Sequence, residues 1–154
     1  MHRNAQRVQA LLAELGATGV IVEFDKSTRT SQEAADAIGI EVGQIAKSLV
    51  FQVEGRGVMV IASGSNRVST SKVEALLGRA IGRADADAVR RYTGFPIGGV
   101  PPVGHETEMD VLIDEDLMGY DEIWAAGGTP NAVFPLAPEE LVRISGGRVA
   151  DVRE

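Results

Sequence analysis

The sequence has no cysteine and only two histidines, His2 and His105. Without thiols there is no disulfide framework and no thiolate chemistry, and two histidines cannot close a Cys/His zinc site. Aromatic residues make up only 5% of the chain, with a single tryptophan. No apolar run approaches the roughly 18 residues of a membrane span. The N-terminal stretch MHRNAQRVQALLAEL carries Glu14 and alternates polar with apolar residues, unlike the unbroken apolar core of a signal peptide. A cytoplasmic location without membrane contact is therefore expected. Basic side chains are outnumbered 15 to 22, for a net charge of −7, which excludes bulk electrostatic coating of nucleic acid or of an anionic membrane. Also missing are the Gly-x-Ser-x-Gly elbow, His-Glu-x-x-His, the phosphate-binding P-loop and the dinucleotide glycine fingerprint. No metal and no cofactor are expected.

What is present suits one domain spanning residues 1–154, since 154 residues with 44% hydrophobic content can bury a core without staples. Val8, Leu11, Leu12 and Leu15 recur at helical spacing before Gly16. GVIVEF (19–24) reads as a strand. Thr30-x-x-Glu33 is a capping box opening the helix SQEAADAIG, which Gly39 stops. AKSLVFQV and VMVIA, separated by EGRG, predict a hairpin. Ser71-x-x-Glu74 predicts another capped helix, and Asp85 or Asp87 caps a third that closes at Gly94. MDVLID, EIWAA and AVFPL read as strands, Pro138 opens a last helix and RVADV ends the chain as a strand. Hairpins mixed with helices, without regular βαβ alternation, predict an α+β fold with a curved, mixed or largely antiparallel sheet and surrounding helices.

Three features could carry chemistry. Period-two alternation puts Lys47 on one strand face with Ile45, Leu49, Phe51 and Val53, opposite Ala46, Ser48, Val50 and Gln52. A lysine on an apolar face either snorkels to water or lies in a pocket where a ligand answers its charge. The loop 95–104, FPIGGVPPVG, holds three prolines and three glycines. Adjacent Gly98 and Gly99 let backbone approach a ligand, and Pro101 and Pro102 stiffen the exit, so the loop is either an oxyanion-type cradle or a rigid connector. The third is a second glycine pair, Gly127-Gly128, before Thr129-Pro130-Asn131. His105 lacks a positioned partner and reads as solvated, and the acidic cluster from Asp114 to Glu122 lacks calcium-loop spacing and reads as a solvated face. Without a nucleophile–base pair, an enzyme of this sequence would rely on placement, backbone dipoles and a reacting group of the substrate.

In this order, TSQEAADAIG, QIAKSLVF, GFPIGGVPPVG and DVLIDEDLMGYDEIWAAGGTPNAVFPLAPEELVRI resemble the YbaK/EbsC family, also called the ProX or prolyl-tRNA-synthetase-associated editing domain. The likeness covers about Val20 to Val152. It implies a pocketed α+β domain that deacylates mischarged aminoacyl-tRNA without a metal, the terminal ribose hydroxyl assisting the attack. The family's strand lysine falls on Lys47 and its Gly-x-x-x-Pro loop on Gly98 to Pro102. The resemblance gives Lys47 the terminal adenosine or carbonyl, Gly98 and Gly99 N–H groups the developing oxyanion, and substrate contacts to Thr30, Ser48, Pro101, Gly127, Gly128, Thr129 and Asn131. Cysteine-specific relatives look aromatic at the position of Thr30 and carry a charged turn in place of Gly128-Thr129-Pro130-Asn131, and alanine-specific relatives use a histidine absent from that turn. A small amino acid such as Ala, Cys or Ser is the expected cargo. The partners implied are the aminoacyl-tRNA acceptor end and an aminoacyl-tRNA synthetase. The alternative is a catalytically silent binding module of the same fold.

The net charge is unevenly spread. Residues 1–100 carry 12 basic and 10 acidic side chains, while residues 101–154 carry 3 and 12. The basic excess falls where the proposed site falls, enough for a few phosphate contacts at an RNA end.

Overall fold

Local capping fixes most helix starts in the computed structural model, which describes residues 1–154. The helices are α1 (Arg3–Glu14), α2 (Ser31–Ile38), α3 (Thr70–Leu77), α4 (Ala86–Thr93) and α5 (Pro138–Ser145). Thr30 and Glu33 form the expected reciprocal capping box on α2, and the Asp85 carboxylate caps α4. Helices α2, α3, α4 and α5 all end on a left-handed glycine, at Gly39, Gly78, Gly94 and Gly146. The cap of α3 differs from expectation. Ser69, not Ser71, accepts the Lys72 N–H, because the Ser69 N–H is itself tied to the Val152 carbonyl at 2.7 Å and so sets where the helix begins. Glu74 instead accepts the Ile81 N–H at 2.8 Å.

Eight strands form one mixed sheet: β1 (Val22–Glu23), β2 (Ile45–Val53), β3 (Arg56–Ser63), β4 (Gly82–Arg83), β5 (Asp110–Asp114), β6 (Ile123–Ala126), β7 (Ala132–Leu136) and β8 (Arg148–Ala150). The order is β1-β7-β6-β2-β3-β5-β8, with β4 also pairing β2. Strands β2 and β3 form the expected hairpin over a two-residue turn, in which Glu54 (φ 49°) and Gly55 (φ 81°) are both left-handed, as a type I′ turn requires. β1 is shorter than the run GVIVEF suggests. Gln9 on α1 takes the Ile21 N–H and donates to the Gly19 carbonyl, so a side chain replaces the first rungs of the ladder.

The pairing of β2 positions the site. β3 covers one edge of β2 along its whole length. On the other edge β6 pairs in parallel with Ile45 and Ala46, and β4 pairs antiparallel with Phe51 and Gln52. Lys47 to Val50 has no strand partner on that side. The Gly64 N–H bonds the Ile45 carbonyl at 2.8 Å, so odd-numbered residues of β2 turn their backbone groups to β3 and even-numbered ones to the open edge. The N–H groups of Ser48 and Val50 therefore face the gap.

The core divides by sheet face as the alternation predicts. Ala46 and Val50 join the main cluster with Met59, Ile61, Phe95, Phe134 and α1 residues Val8 and Leu12. On the other face Phe51 packs over Val60, Val73 and Leu112, while Ile45 packs with Ala34, Ala35 and Trp124. Lys47 lies between these two smaller clusters and is exposed.

Candidate active site

A cavity of about 430 Å³ opens at the gap in the sheet. Its floor is β2 from Ile45 to Phe51, and β6 and β4 supply its ends through Trp124 and Arg83. One wall is the segment Thr28–Ser31 with the start of α2, and the opposite wall is the loop residues Ile97, Gly98 and Val100. Arg29, Lys47 and Arg83 line it, and no aspartate, glutamate or histidine does. None of the three cations forms an ion pair. In a chain of net charge −7 this is a concentrated positive site, suited to an anionic or strongly polarised ligand.

Two hydroxyls sharpen that description. The Oγ atoms of Ser31 and Ser48 are buried and have no hydrogen-bond partner, and both residues line the cavity. Most buried hydroxyls are satisfied, because stranding one costs about 1–3 kcal/mol. Both oxygens are closed to solvent and Ser31 Oγ lies toward Gly64, so a ligand reaches either one only after a side-chain rotation, for which Ser48 on the open stretch of β2 is the better placed. Thr30 also lines the cavity, with its Oγ1 accepting the Glu33 N–H at 3.1 Å.

Lys47, Ser48, Thr30 and Gly98 thus meet as the sequence suggests, and the remaining sequence-derived candidates do not line the cavity. Pro96 to Gly99 is a tight turn with Gly98 at φ 85°. Its closing bond runs from the Gly99 N–H to the Pro96 carbonyl at 3.0 Å, so the expected role of Gly99 as a free oxyanion donor does not hold. A Cβ on Gly99 would point into the Thr129 backbone. On Gly98 it would strike the Arg29 Cγ, which places the arginine stem directly over this glycine.

Pro101 and the turn 127–131 brace the site from behind. Pro101 is buried, and its carbonyl meets the His105 Nε2 at 2.7 Å. His105 is half-buried rather than solvated, and desolvation lowers its pKa, partly opposed by that bond. The imidazole is accordingly neutral at pH 7 and donates its Nε2 proton to the loop. The Gly127 N–H bonds the Ala132 carbonyl, and the Thr129 hydroxyl donates to Asn131 Oδ1 at 2.8 Å. Asn131 Nδ2 donates to the Phe24 carbonyl, and the Pro130 carbonyl accepts the Thr28 N–H at 2.6 Å. Gly128 packs against the Asn4 backbone of α1. The turn therefore anchors the segment that delivers Thr28 to Ser31 to the cavity rim.

The acidic cluster is partly structural as well. Asp114 is buried, and its carboxylate accepts N–H bonds from Ser63, Asn66 and Asp116 at 2.9–3.0 Å. Asp116 pairs with Arg153 at 3.0 Å.

Residues 25–144 match the sequence model of the aminoacyl-tRNA editing domain. The chain belongs to the aminoacyl-tRNA editing domain family. It is 48% identical to a solved structure described as a proposed trans-editing enzyme for prolyl-tRNA synthetase, with a TM-score of 0.95 over 100% of this chain and 99% of that one. It is 32% identical to the uncharacterised protein YwhH of Bacillus subtilis over 84% of this chain and 83% of that protein. Enterococcus faecalis EbsC, a proposed Cys-tRNA(Pro)/Cys-tRNA(Cys) deacylase, is 24% identical over 80% of this chain and 76% of its own length. A segment of the proline–tRNA ligase of Limosilactobacillus fermentum, 17% of that enzyme, is 33% identical over 58% of this chain. Within the editing-domain fold, the residues that sequence reasoning missed are Arg29, Ser31 and Trp124, whereas Arg83 belongs to the basic excess already expected around the site. Trp124 reaches the cavity through the pairing of β6 with β2, while Arg29 and Ser31 flank the Thr30 capping box, which was the local signal for both.

Proposed function

We propose that the protein is a trans-editing hydrolase that removes a small amino acid from mischarged tRNA by cleaving the aminoacyl ester. The observation that carries this is the cavity at the open edge of β2: three unpaired cations, with no carboxylate or histidine to act as a base. The terminal adenosine and its ester enter between α2 and the loop 95–104. The Lys47 ammonium holds the nucleotide end or the ester carbonyl. Water adds to that carbonyl carbon, and the tetrahedral oxygen is met by the N–H of Gly98 and the open-edge N–H of Ser48. The neighbouring ribose hydroxyl relays the water's proton to the leaving ribose oxygen as the acyl C–O bond breaks, giving free amino acid and uncharged tRNA. No protein nucleophile and no metal takes part in this scheme.

A volume of about 430 Å³ lies low in the roughly 300–1,000 Å³ range of ligand pockets, so a seated adenosine leaves room only for a small side chain. The Ser48 hydroxyl, once rotated toward the cavity, supplies a polar contact to the α-amino group or to a short polar side chain. The test is to incubate tRNAs charged with Ala, Ser, Cys or Pro with the protein and to follow ester loss. Accelerated loss of at least one small amino acid is expected. Decay of every ester at the buffer rate overturns the enzymatic reading and leaves a binding module. The acceptor end of tRNA, and a synthetase that generates the mischarged species, are the partners this reading requires.

A further inference from the structure

A second cleft, of about 500 Å³, lies behind the loop that walls the cavity. It is formed by His2, Arg3, Asn4 and Arg7 at the start of α1, Arg90 and Gly94 at the end of α4, Pro96, and residues 129–131. None of these is apolar in side-chain character except the prolines, and none is acidic. Arg3 and Arg7 are one turn apart on the same face of α1, and Arg90 approaches from α4. All three are exposed, and none forms an ion pair. The chain has 22 acidic side chains, yet this cleft gathers three guanidinium groups without one carboxylate partner. At the rim Glu106 Oε1 and Arg7 Nη2 both lie within 3.6 Å of the point a Gly94 Cβ would occupy, so this carboxylate offsets part of the Arg7 charge without forming an ion pair and leaves Arg3 and Arg90 unopposed. Clustered like charges repel, and an anion relieves the repulsion.

The cleft is also held in shape. The Arg7 guanidinium stacks over the buried Phe95 ring, 4.4 Å from its centroid, and Asn4 Nδ2 donates to the Gly128 carbonyl at 3.3 Å. It shares its dividing wall with the cavity: Pro96 lines the cleft and Ile97 the cavity, and Pro130 of the cleft is bonded to Thr28 of the cavity.

We propose that Arg3, Arg7 and Arg90 form a phosphodiester-binding site that holds the RNA strand leading into the cavity, so that the nucleotides before the terminal one cross the Pro96–Ile97 rim. This rests on the reading of the cavity as the seat of the terminal aminoacyl-nucleotide. Guanidinium groups suit phosphate oxygens because their planar forks donate two hydrogen bonds at once. The site supplies grip and direction and no sequence readout, since phosphate contacts position the strand and do not identify its bases.

The test is fluorescence-anisotropy binding of an uncharged acceptor-stem RNA hairpin with a single-stranded 3′ end, over a salt series. Arg3→Ala combined with Arg90→Ala removes two exposed guanidinium groups and leaves the Arg7–Phe95 stack in place. Binding is expected to weaken about tenfold or more, and the slope of log affinity against log salt to fall by about 1.4–1.8, with the melting temperature unchanged. Methylphosphonate linkages before the terminal nucleotide should weaken wild-type binding, and weaken binding by the variant, which keeps only Arg7, by a smaller factor. Equal affinity and equal salt slope in wild type and variant overturn the inference, as does an absence of RNA binding by the wild type. The binding assay needs no turnover. A wild type that hydrolyses no ester but binds RNA through these arginines sinks the enzymatic reading alone, and one that hydrolyses charged tRNA with unchanged KM in the variant sinks this inference alone.

Discussion

Replacing Ser48 by alanine should move stability and activity in different directions. In the free protein the Ser48 hydroxyl is buried without a partner, so its removal breaks no hydrogen bond of the fold. A stranded buried hydroxyl costs about 1–3 kcal/mol, and the half-buried setting of Ser48 takes the lower end. For a domain of this size about 1 kcal/mol shifts the melting temperature by roughly 2–4 °C. The variant should therefore melt at the wild-type temperature or up to about 4 °C above it. Rotated toward the cavity by a bound substrate, the same hydroxyl would gain a hydrogen bond of about 0.5–1.5 kcal/mol for a neutral pair. At 1.36 kcal/mol per decade, kcat/KM should fall about 2- to 13-fold. Thermal denaturation and ester hydrolysis on the most rapidly cleaved charged tRNA read the two effects separately. A lower melting temperature would show that the hydroxyl serves the fold, and an unchanged kcat/KM would show that it serves no ligand; either result refutes the reasoning.

Lys47→Ala should lower kcat/KM about tenfold or more, the value of a charge-assisted hydrogen bond, with no change in melting because the side chain is exposed and unpaired. Hydrolysis at the wild-type rate would make it a surface residue. Gly99→Val should cost about 1–3 kcal/mol in urea unfolding, since its Cβ would lie 2.7–2.9 Å from Thr129 backbone atoms that cannot swing aside. An unshifted urea midpoint would refute the close approach. The depressed His105 pKa sets a pH dependence. Above about pH 6.5 the ring is neutral in both states, and below it the unfolded chain takes up a proton that the folded ring resists. Stability should therefore fall as pH drops from about 6.5 toward the folded pKa, and His105→Gln should flatten that part of a urea-midpoint profile measured from pH 7.5 to 5. Identical profiles for the two proteins would contradict the assignment.

Features written in neighbouring residues were legible in the sequence. The Thr30–Glu33 box, the Asp85 cap, the β2–β3 hairpin and the irregular loop 95–104 depend on contacts a few residues apart, and they fold as read. The alternation of β2 also holds, with Phe51 and Val50 in clusters on opposite sheet faces. What escaped was set at a distance. The start of α3 is dictated by Val152, and the first rungs of β1 are taken over by Gln9. The gap above Lys47 exists because β6, some 75 residues downstream, covers only the first two residues of β2. The loop glycines were found, but not the internal bond that occupies the Gly99 N–H, since composition locates a turn without saying which donor closes it. The turn 127–131 was read as a contact surface, whereas its hydrogen bonds face inward to Phe24 and Thr28.

An interrupted sheet edge ordinarily invites trouble, because unpaired backbone groups template the strands of other molecules and lead to aggregation. Here the open stretch is four residues, about 13 Å, and it is closed off at both ends by paired strands. A foreign strand could not run past either end without displacing β6 or β4. The gap is too short to recruit a neighbour and long enough to admit a single nucleotide-sized guest. The same missing rungs thus leave a stretch too short for a foreign strand and open to a small ligand.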